Sequence, residues 1–288
     1  MQTSRELVIQ SKPLPGASGE TLAMTPEAVG FDFLTFRVRK LERGEQYTSG
    51  TDNHELGIVL LGGHLSVQSS AGYWSHIGGR AQVFGGLPYA LYLPVETRFT
   101  LTAETACEVA FCFCKAEKPF PARLITPDEV EVEIRGGGNA TRQINHILKP
   151  EFPAQRLLVV EVYTPSGNWS SYPPHKHDRD RPPIEADLEE VYYFRFRHPD
   201  GYGFHRVYTA DGRHDDTMTV RDGDLVVVRE GYHPFVTAYG HDAYYLNVLA
   251  GTRRSMAASD DPRYAAFRQS WPAPDPRLPV IARPPSQH

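Results

Sequence analysis

Apolar and polar residues along this chain alternate mostly with a period of two, and long stretches with the helical period are nearly absent. In the first half, Phe31–Leu41, Glu55–Leu61, His64–Gln68, Ala90–Pro94, Arg98–Thr102 and Glu108–Cys114 read as strands punctuated by Gly, Pro and Asp turns. Lys115–Thr126 loses the pattern and reads as a connection. The second half resumes with Val130–Arg135, Leu157–Tyr163, Glu190–Phe196, His205–Thr209, Thr217–Val220, Leu225–Val228 and Ala243–Leu249. Only Pro262–Gln269 suggests a short helix. From Pro272 the chain carries six prolines in 17 residues and is expected to be extended, draped over a neighbour or mobile.

The two halves resemble each other at a fixed offset. Glu55–Leu61 precedes Glu190–Phe196 by 135 residues, and Leu91–Ala103 precedes Val226–Ala238 by the same interval. A duplicated all-β unit follows, each copy the right size for a double-sheet jelly roll closed into a small barrel. The expected division is 1–126, 127–271 and a tail at 272–288.

Composition narrows the function classes. With 30 Lys and Arg against 35 Asp and Glu the formal charge is −5, which argues against a nucleic-acid partner. No apolar run is long enough to cross a membrane as a helix. Met1–Gly16 lacks the apolar stretch of an export signal. The three cysteines (Cys107, Cys112 and Cys114) read as free thiols, so a cytoplasmic location is expected. Cys112 and Cys114 fall in an apolar strand, where cysteine serves as a small hydrophobe.

The candidate chemistry lies in Ser171–Asp178. His175 and His177 are two residues apart, so on a strand they share a face. Glu190 opens a strand further on, and Gly231-Tyr232-His233 follows another strand. Two His, a Glu and a later His is the ligand arrangement of cupin barrels. Such a set suits a divalent ion, Zn, Mn, Fe, Co or Ni. The departure is spacing: twelve residues separate His177 from Glu190. The charged stretch Arg179–Leu188 reads as an inserted loop, and Glu185 and Glu189 are rival ligands. In the first half Glu55 matches Glu190 at the common offset, but Arg98 stands where His233 stands, so no metal is expected there. His54, His64 and His76 read as surface or turn residues.

Ser170–Asp178, Glu189–Phe194 and Arg229–Pro234 together resemble the 5-deoxy-glucuronate isomerases of bacterial myo-inositol catabolism. Gly138-Asn139, Thr141-Arg142-Gln143, Leu157–Tyr163 and Gly86–Pro94 are also similar to that family. The related uronate isomerase of pectin breakdown has its Glu much closer to the His pair. The resemblance implies a cytoplasmic bicupin whose second barrel holds one divalent metal, Zn or Mn, on His175, His177, Glu190 and His233. It also implies an aldose–ketose isomerisation of a small sugar acid, 5-deoxy-D-glucuronate to 5-dehydro-2-deoxy-D-gluconate.

For the acid–base role the candidates are Tyr192, on the Glu190 face of its strand, and Tyr244, with His205 and Glu230 behind them. For the substrate carboxylate they are Arg179, Arg142 and Arg229, with Lys176 ranked below because it alternates away from the histidines. Arg195 and Arg206 read as solvent-facing strand positions. A different hexuronate-type substrate or an iron dioxygenase is the alternative. The aromatic strand faces suggest a homo-oligomer.

Overall fold

The computed structural model describes residues 7–282, so the start of Met1–Gly16 and the last six residues of the proline-rich tail lie outside the described residues. The chain forms two compact units. Among the described residues, one comprises 11–131 and 147–157 with 281–282. The other comprises 7–10, 132–146 and 158–280.

The first unit is a jelly roll of two sheets. Its larger sheet runs in the order Arg123–Ile125, Ala90–Leu93, His54–Gly62, Cys107–Lys115, Leu34–Leu41, Gly19–Met24. Its smaller sheet runs Gln46–Gly50, Arg98–Ala103, His64–Ser69, Gly72–Gly78. Alternate residues of both sheets, among them Leu56, Ile58, Leu91, Phe99 and Phe111, fill the space between them. Each such side chain contributes roughly 1.5–3 kcal/mol by leaving water.

The second unit repeats this order. Its larger sheet runs Val8–Ile9, Leu225–Val228, Glu185–Phe196, Ala243–Gly251, Leu158–Thr164, Arg142–Leu148, Glu131–Arg135, and its smaller sheet runs Trp169–Ser170, Phe235–Thr237, Tyr202–Tyr208, Asp215–Arg221. Here Tyr192, Phe194, Phe196, Phe235 and Tyr245 form the aromatic end of the barrel core.

The structure departs from the sequence-based expectations at several points. Lys115–Thr126 is not patternless, since Arg123–Ile125 pairs with Ala90–Tyr92 at the sheet edge. The compact units do not follow the limits 126 and 271. Val8–Ile9 pairs with Leu225–Val226 of the second unit, and residues 147–157 belong with the first. The tail through residue 280 packs on the second unit. Gly138 bridges Pro274, and Asp275 receives the Asn168 amide at 3.0 Å. Gly137 permits this approach, because a Cβ there would lie 2.2 Å from the Pro272 carbonyl oxygen. The expected helix is a 3-10 segment at Ala265–Ser270.

The internal repeat is also shifted by one residue from its sequence offset. Glu190 pairs with Val228 and Leu249, whereas Leu56 pairs with Leu93 and Phe113. The counterpart of Glu190 is therefore Leu56, not Glu55. A slip of one residue turns a side chain to the opposite face of the sheet. Leu56 enters the first core. Glu55 is buried on the other face, where it accepts the Tyr92 hydroxyl at 2.9 Å and the backbone N–H groups of residues 155–157 at 2.7–2.8 Å. The interior of the first barrel is hydrocarbon where the second carries a carboxylate.

Candidate metal centre

The presumed loop Arg179–Leu188 is instead a hairpin. Asp178–Arg181 pairs antiparallel with the start of the twelve-residue strand Glu185–Phe196. The hairpin spans the long gap in the motif and returns the chain so that His177 meets Glu190. The His177 carbonyl accepts the Leu188 N–H at 2.9 Å. Along the long strand Leu188, Glu190, Tyr192, Phe194 and Phe196 share the barrel face by simple alternation.

His233 arrives through a turn at Gly231, whose φ of +89° lies in the left-handed region. The Gly231 N–H donates to Asp178 at 2.8 Å, which ties this turn to the segment carrying the first two histidines. Asp178 and Glu185 also accept from the buried Lys176 ammonium. Glu185 receives Arg181 as well. It is thus occupied by cations and lies outside the buried group of His177, Glu190 and His233. Glu189 falls on the face opposite Glu190.

His177, Glu190 and His233 are buried, with donor atoms close enough for one metal ion. Nε2 of His177 lies 2.8 Å from Glu190 Oε2, and Nε2 of His233 lies 3.1 Å from the same oxygen. Both rings are oriented from behind. Nδ1–H of His177 donates to the Leu188 carbonyl at 3.1 Å, and Nδ1–H of His233 donates to the Gly231 carbonyl at 2.8 Å. A carbonyl can only accept, so Nδ1 carries a proton in each ring and, in the neutral ring, Nε2 is the nitrogen that can bind a metal. The His175 ring lies 5.0 Å from that of His233 and 6.4 Å from that of His177, centre to centre, and lines the same cavity. Glu190 Oε1 accepts the Asn247 amide at 2.7 Å.

The electrostatics follow the geometry. Burial opposes ionisation of Glu190, yet His177 and His233 outweigh it and hold the carboxyl well below its usual range. Burial lowers His175 well below 6.5, helped by His233 and His177, so its imidazole stays neutral. Burial pushes the Tyr192 hydroxyl well above 10, and Glu190 pushes in the same direction.

The cavity has a volume of about 140 Å³. Of the residues expected at the site from sequence, it is lined by His175, His177, Glu190, Tyr192 and Arg142. Burial lowers the Arg142 guanidinium to about 10, and one of its nitrogens points at the Tyr172 carbonyl at 3.5 Å. Three candidates lie elsewhere. Tyr244 is on the reverse face of its strand and donates to Glu161 at 2.9 Å, because Tyr245 and Asn247 take the inward alternation. Arg179 sits in the hairpin with 68% of its side chain exposed. Arg229 follows the inward Val228 and lines a separate cavity with Val207, His214 and Glu230.

His205 is buried behind the site, its Nε2–H donating to the His233 carbonyl at 3.1 Å. The residues that sequence reading overlooked are Tyr245, Asn247, Ser171 and Arg135. Asn247 carried a visible signal, as the sole amide in the apolar run Ala243–Gly251.

A model of the KduI/IolB family matches residues 9–267. The chain belongs to the KduI/IolB family. Among its curated relatives, the 5-deoxy-glucuronate isomerase of Geobacillus kaustophilus is 44% identical over 249 residues, covering 86% of this chain and 90% of that one. That of Bacillus subtilis strain 168 is 41% identical over 234 residues, covering 81% and 86%. The crystal structure of an IolB-like protein from Salmonella typhimurium LT2 has a TM-score of 0.87 at 39% identity, covering 91% of this chain and 98% of that one. A variant of Bacillus subtilis oxalate decarboxylase reaches a TM-score of 0.65 at 12% identity, covering 90% and 80%. That likeness is one of fold, and this KduI/IolB member is a bicupin. No helix among its described residues is long and apolar enough to cross a membrane.

Proposed function

We propose that the protein is a metal-dependent aldose–ketose isomerase converting 5-deoxy-D-glucuronate to 5-dehydro-2-deoxy-D-gluconate. The observation that carries this reading is the convergence of a carboxylate, imidazoles and one buried guanidinium on a single small cavity, in a chain whose relatives bear that isomerase name.

The residues fit a divalent ion. His233 Nε2 is buried without a hydrogen bond of good geometry, and two imidazole Nε2 atoms converge on one carboxylate oxygen. His177, Glu190 and His233 would hold the ion, with His175 as the fourth ligand, and Zn or Mn suits this mixture of nitrogen and oxygen donors. When bound, the ion supplies Lewis acidity toward the sugar oxygens.

The chain's own groups do the rest. Arg142, buried and with no carboxylate ion pair among the described residues, binds the substrate carboxylate and so fixes which end of the sugar reaches the histidines. Arg135 lines the same cavity, but Glu133 already holds it through two hydrogen bonds of 2.7 and 2.8 Å. Asn247 keeps Glu190 oriented. Ser171 and Tyr192, whose hydroxyl oxygens are 3.4 Å apart, offer hydroxyls to the sugar. Val160, Val162 and Leu249 exclude water from the reacting carbons.

An NMR time course with 5-deoxy-D-glucuronate tests the assignment. Conversion should stop on chelation and return with Zn or Mn. Undiminished conversion by a His177→Ala, His233→Ala variant would refute the metal assignment.

A further inference from the structure

Apart from its candidate ligands, the cavity wall holds no group suited to pull a proton from carbon. Among the described residues, the remainder of the lining is aliphatic side chains, the Met256 thioether, two guanidinium groups, the Asn247 amide and the hydroxyls of Ser171, Tyr192 and Tyr245. A neutral hydroxyl is too weak a base to take a proton from carbon, and that of Tyr245 is already hydrogen-bonded to the Ser170 hydroxyl at 2.5 Å. The carboxylates nearby are engaged. Glu133 holds Arg135 and His146. Asp178 and Glu185 hold Lys176. Asp261 accepts Tyr208 at 2.7 Å and pairs with Arg263. His205 is turned to the backbone of His233 and does not line the cavity.

An enediol path requires a base that removes the C2 proton and returns it to C1. We infer that hydrogen instead moves from C2 to C1 as a hydride within the sugar. The inference rests on the reaction proposed above and on His175 serving as a ligand and not as a free imidazole.

The step balances without any external oxidant or reductant. The C2–H bond breaks and its electron pair travels with the hydrogen to form the new C1–H bond. The π pair of the C1 carbonyl moves onto O1, which takes up a proton. O2 loses its proton as the C2 carbonyl forms. The net transfer is one hydride from C2 to C1 and one proton from O2 to O1. The Tyr192 hydroxyl can both donate and accept, so it serves the oxygen-to-oxygen proton without becoming a carbon base. The aliphatic wall suits a transfer in which no solvent proton takes part.

Isotope position tests this directly. Substrate deuterated at C2 is incubated with metal-loaded enzyme in ordinary water, and unlabelled substrate in deuterium oxide. Both are held at equilibrium through many interconversions and read by proton and deuterium NMR, with product alone in deuterium oxide as the background. The expected result is full retention of the C2 label on the former aldehyde carbon and no solvent deuterium there. Solvent deuterium on that carbon above background would overturn the hydride shift and leave the isomerase reading standing. Failure to form any ketose would overturn the isomerase reading and the shift with it. Metal analysis of a His175→Asn variant tests the ligand premise separately. Lost metal is expected, and full occupancy would free His175 to act as a base and overturn the inference.

Discussion

Gly231→Ala is the substitution whose cost is most directly worked out from backbone geometry. Gly231 holds φ at +89°, and a Cβ there would lie 2.5 Å from the Tyr208 carbonyl oxygen. That oxygen has little room to retreat, because Tyr208 and Tyr232 exchange backbone hydrogen bonds of 2.8 and 2.9 Å. The left-handed backbone costs a residue with a Cβ about 1 kcal/mol or somewhat more. Loosening the Tyr208–Tyr232 pair adds about 1 kcal/mol for each bond disturbed. The total is about 3 kcal/mol, or roughly 6–12 °C in melting temperature for a unit of this size.

Gly212 supplies the control. It holds φ at +71°, and a Cβ added there would meet nothing within 4 Å, so Gly212→Ala should cost only the backbone component, about 1 kcal/mol. The assay is thermal unfolding of both variants alongside metal titration. Gly231→Ala should also bind metal more weakly, since its carbonyl orients His233 and its N–H holds Asp178. Equal melting temperatures for the two variants, with metal affinity unchanged in Gly231→Ala, would refute the reasoning.

Other substitutions test separate links. Asn247→Leu removes the 2.7 Å donor to Glu190 and should lower metal affinity by about 10–100-fold, measured by competition with a chelator. Arg142→Met should raise KM by about 10–100-fold through loss of a charge-assisted contact. It should leave the melting temperature unchanged or higher, because a buried cation without a paired carboxylate is removed. Glu185 gives a pH test. Burial would raise its carboxyl, but Lys176, Ser259 and Arg181 outweigh this and hold it at about 2, below the ordinary glutamate value of 4.5. Because the folded value is depressed, its stabilisation is complete above pH 4.5 and lost as the pH falls toward 2. Glu185→Gln should therefore flatten the melting temperature across that window, and an unaltered acid limb would contradict the pairing.

Much of the fold was legible because strand alternation is a local property. Thirteen segments read as strands from pattern alone coincide with strands of the two barrels, with ends shifted by a few residues. Other strands were overlooked, among them Gly19–Met24, Gln46–Gly50, Gly72–Gly78, Arg142–Leu148 and Phe235–Thr237. Each is short, polar on one face or interrupted by glycine, and is held by neighbours distant in sequence. The edge strand Val8–Ile9 could not have been read, since its partner is more than two hundred residues away.

For the site, the sequence alone determined the donor types and their order, because His-x-His, a strand-borne Glu and Gly-x-x-His are local patterns. It also determined the duplication, because both halves repeat one strand rhythm. Tertiary structure decided what depends on register and on facing. The Arg179–Leu188 stretch became a hairpin that brings Glu190 to His177. A one-residue slip made Leu56 the counterpart of Glu190 and sent Glu55 to the opposite face. The same alternation placed Tyr245 and Asn247 in the cavity and Tyr244 outside it. Composition cannot distinguish neighbours such as Tyr244 and Tyr245. Only pairing with the next strand fixes which of them faces the cavity.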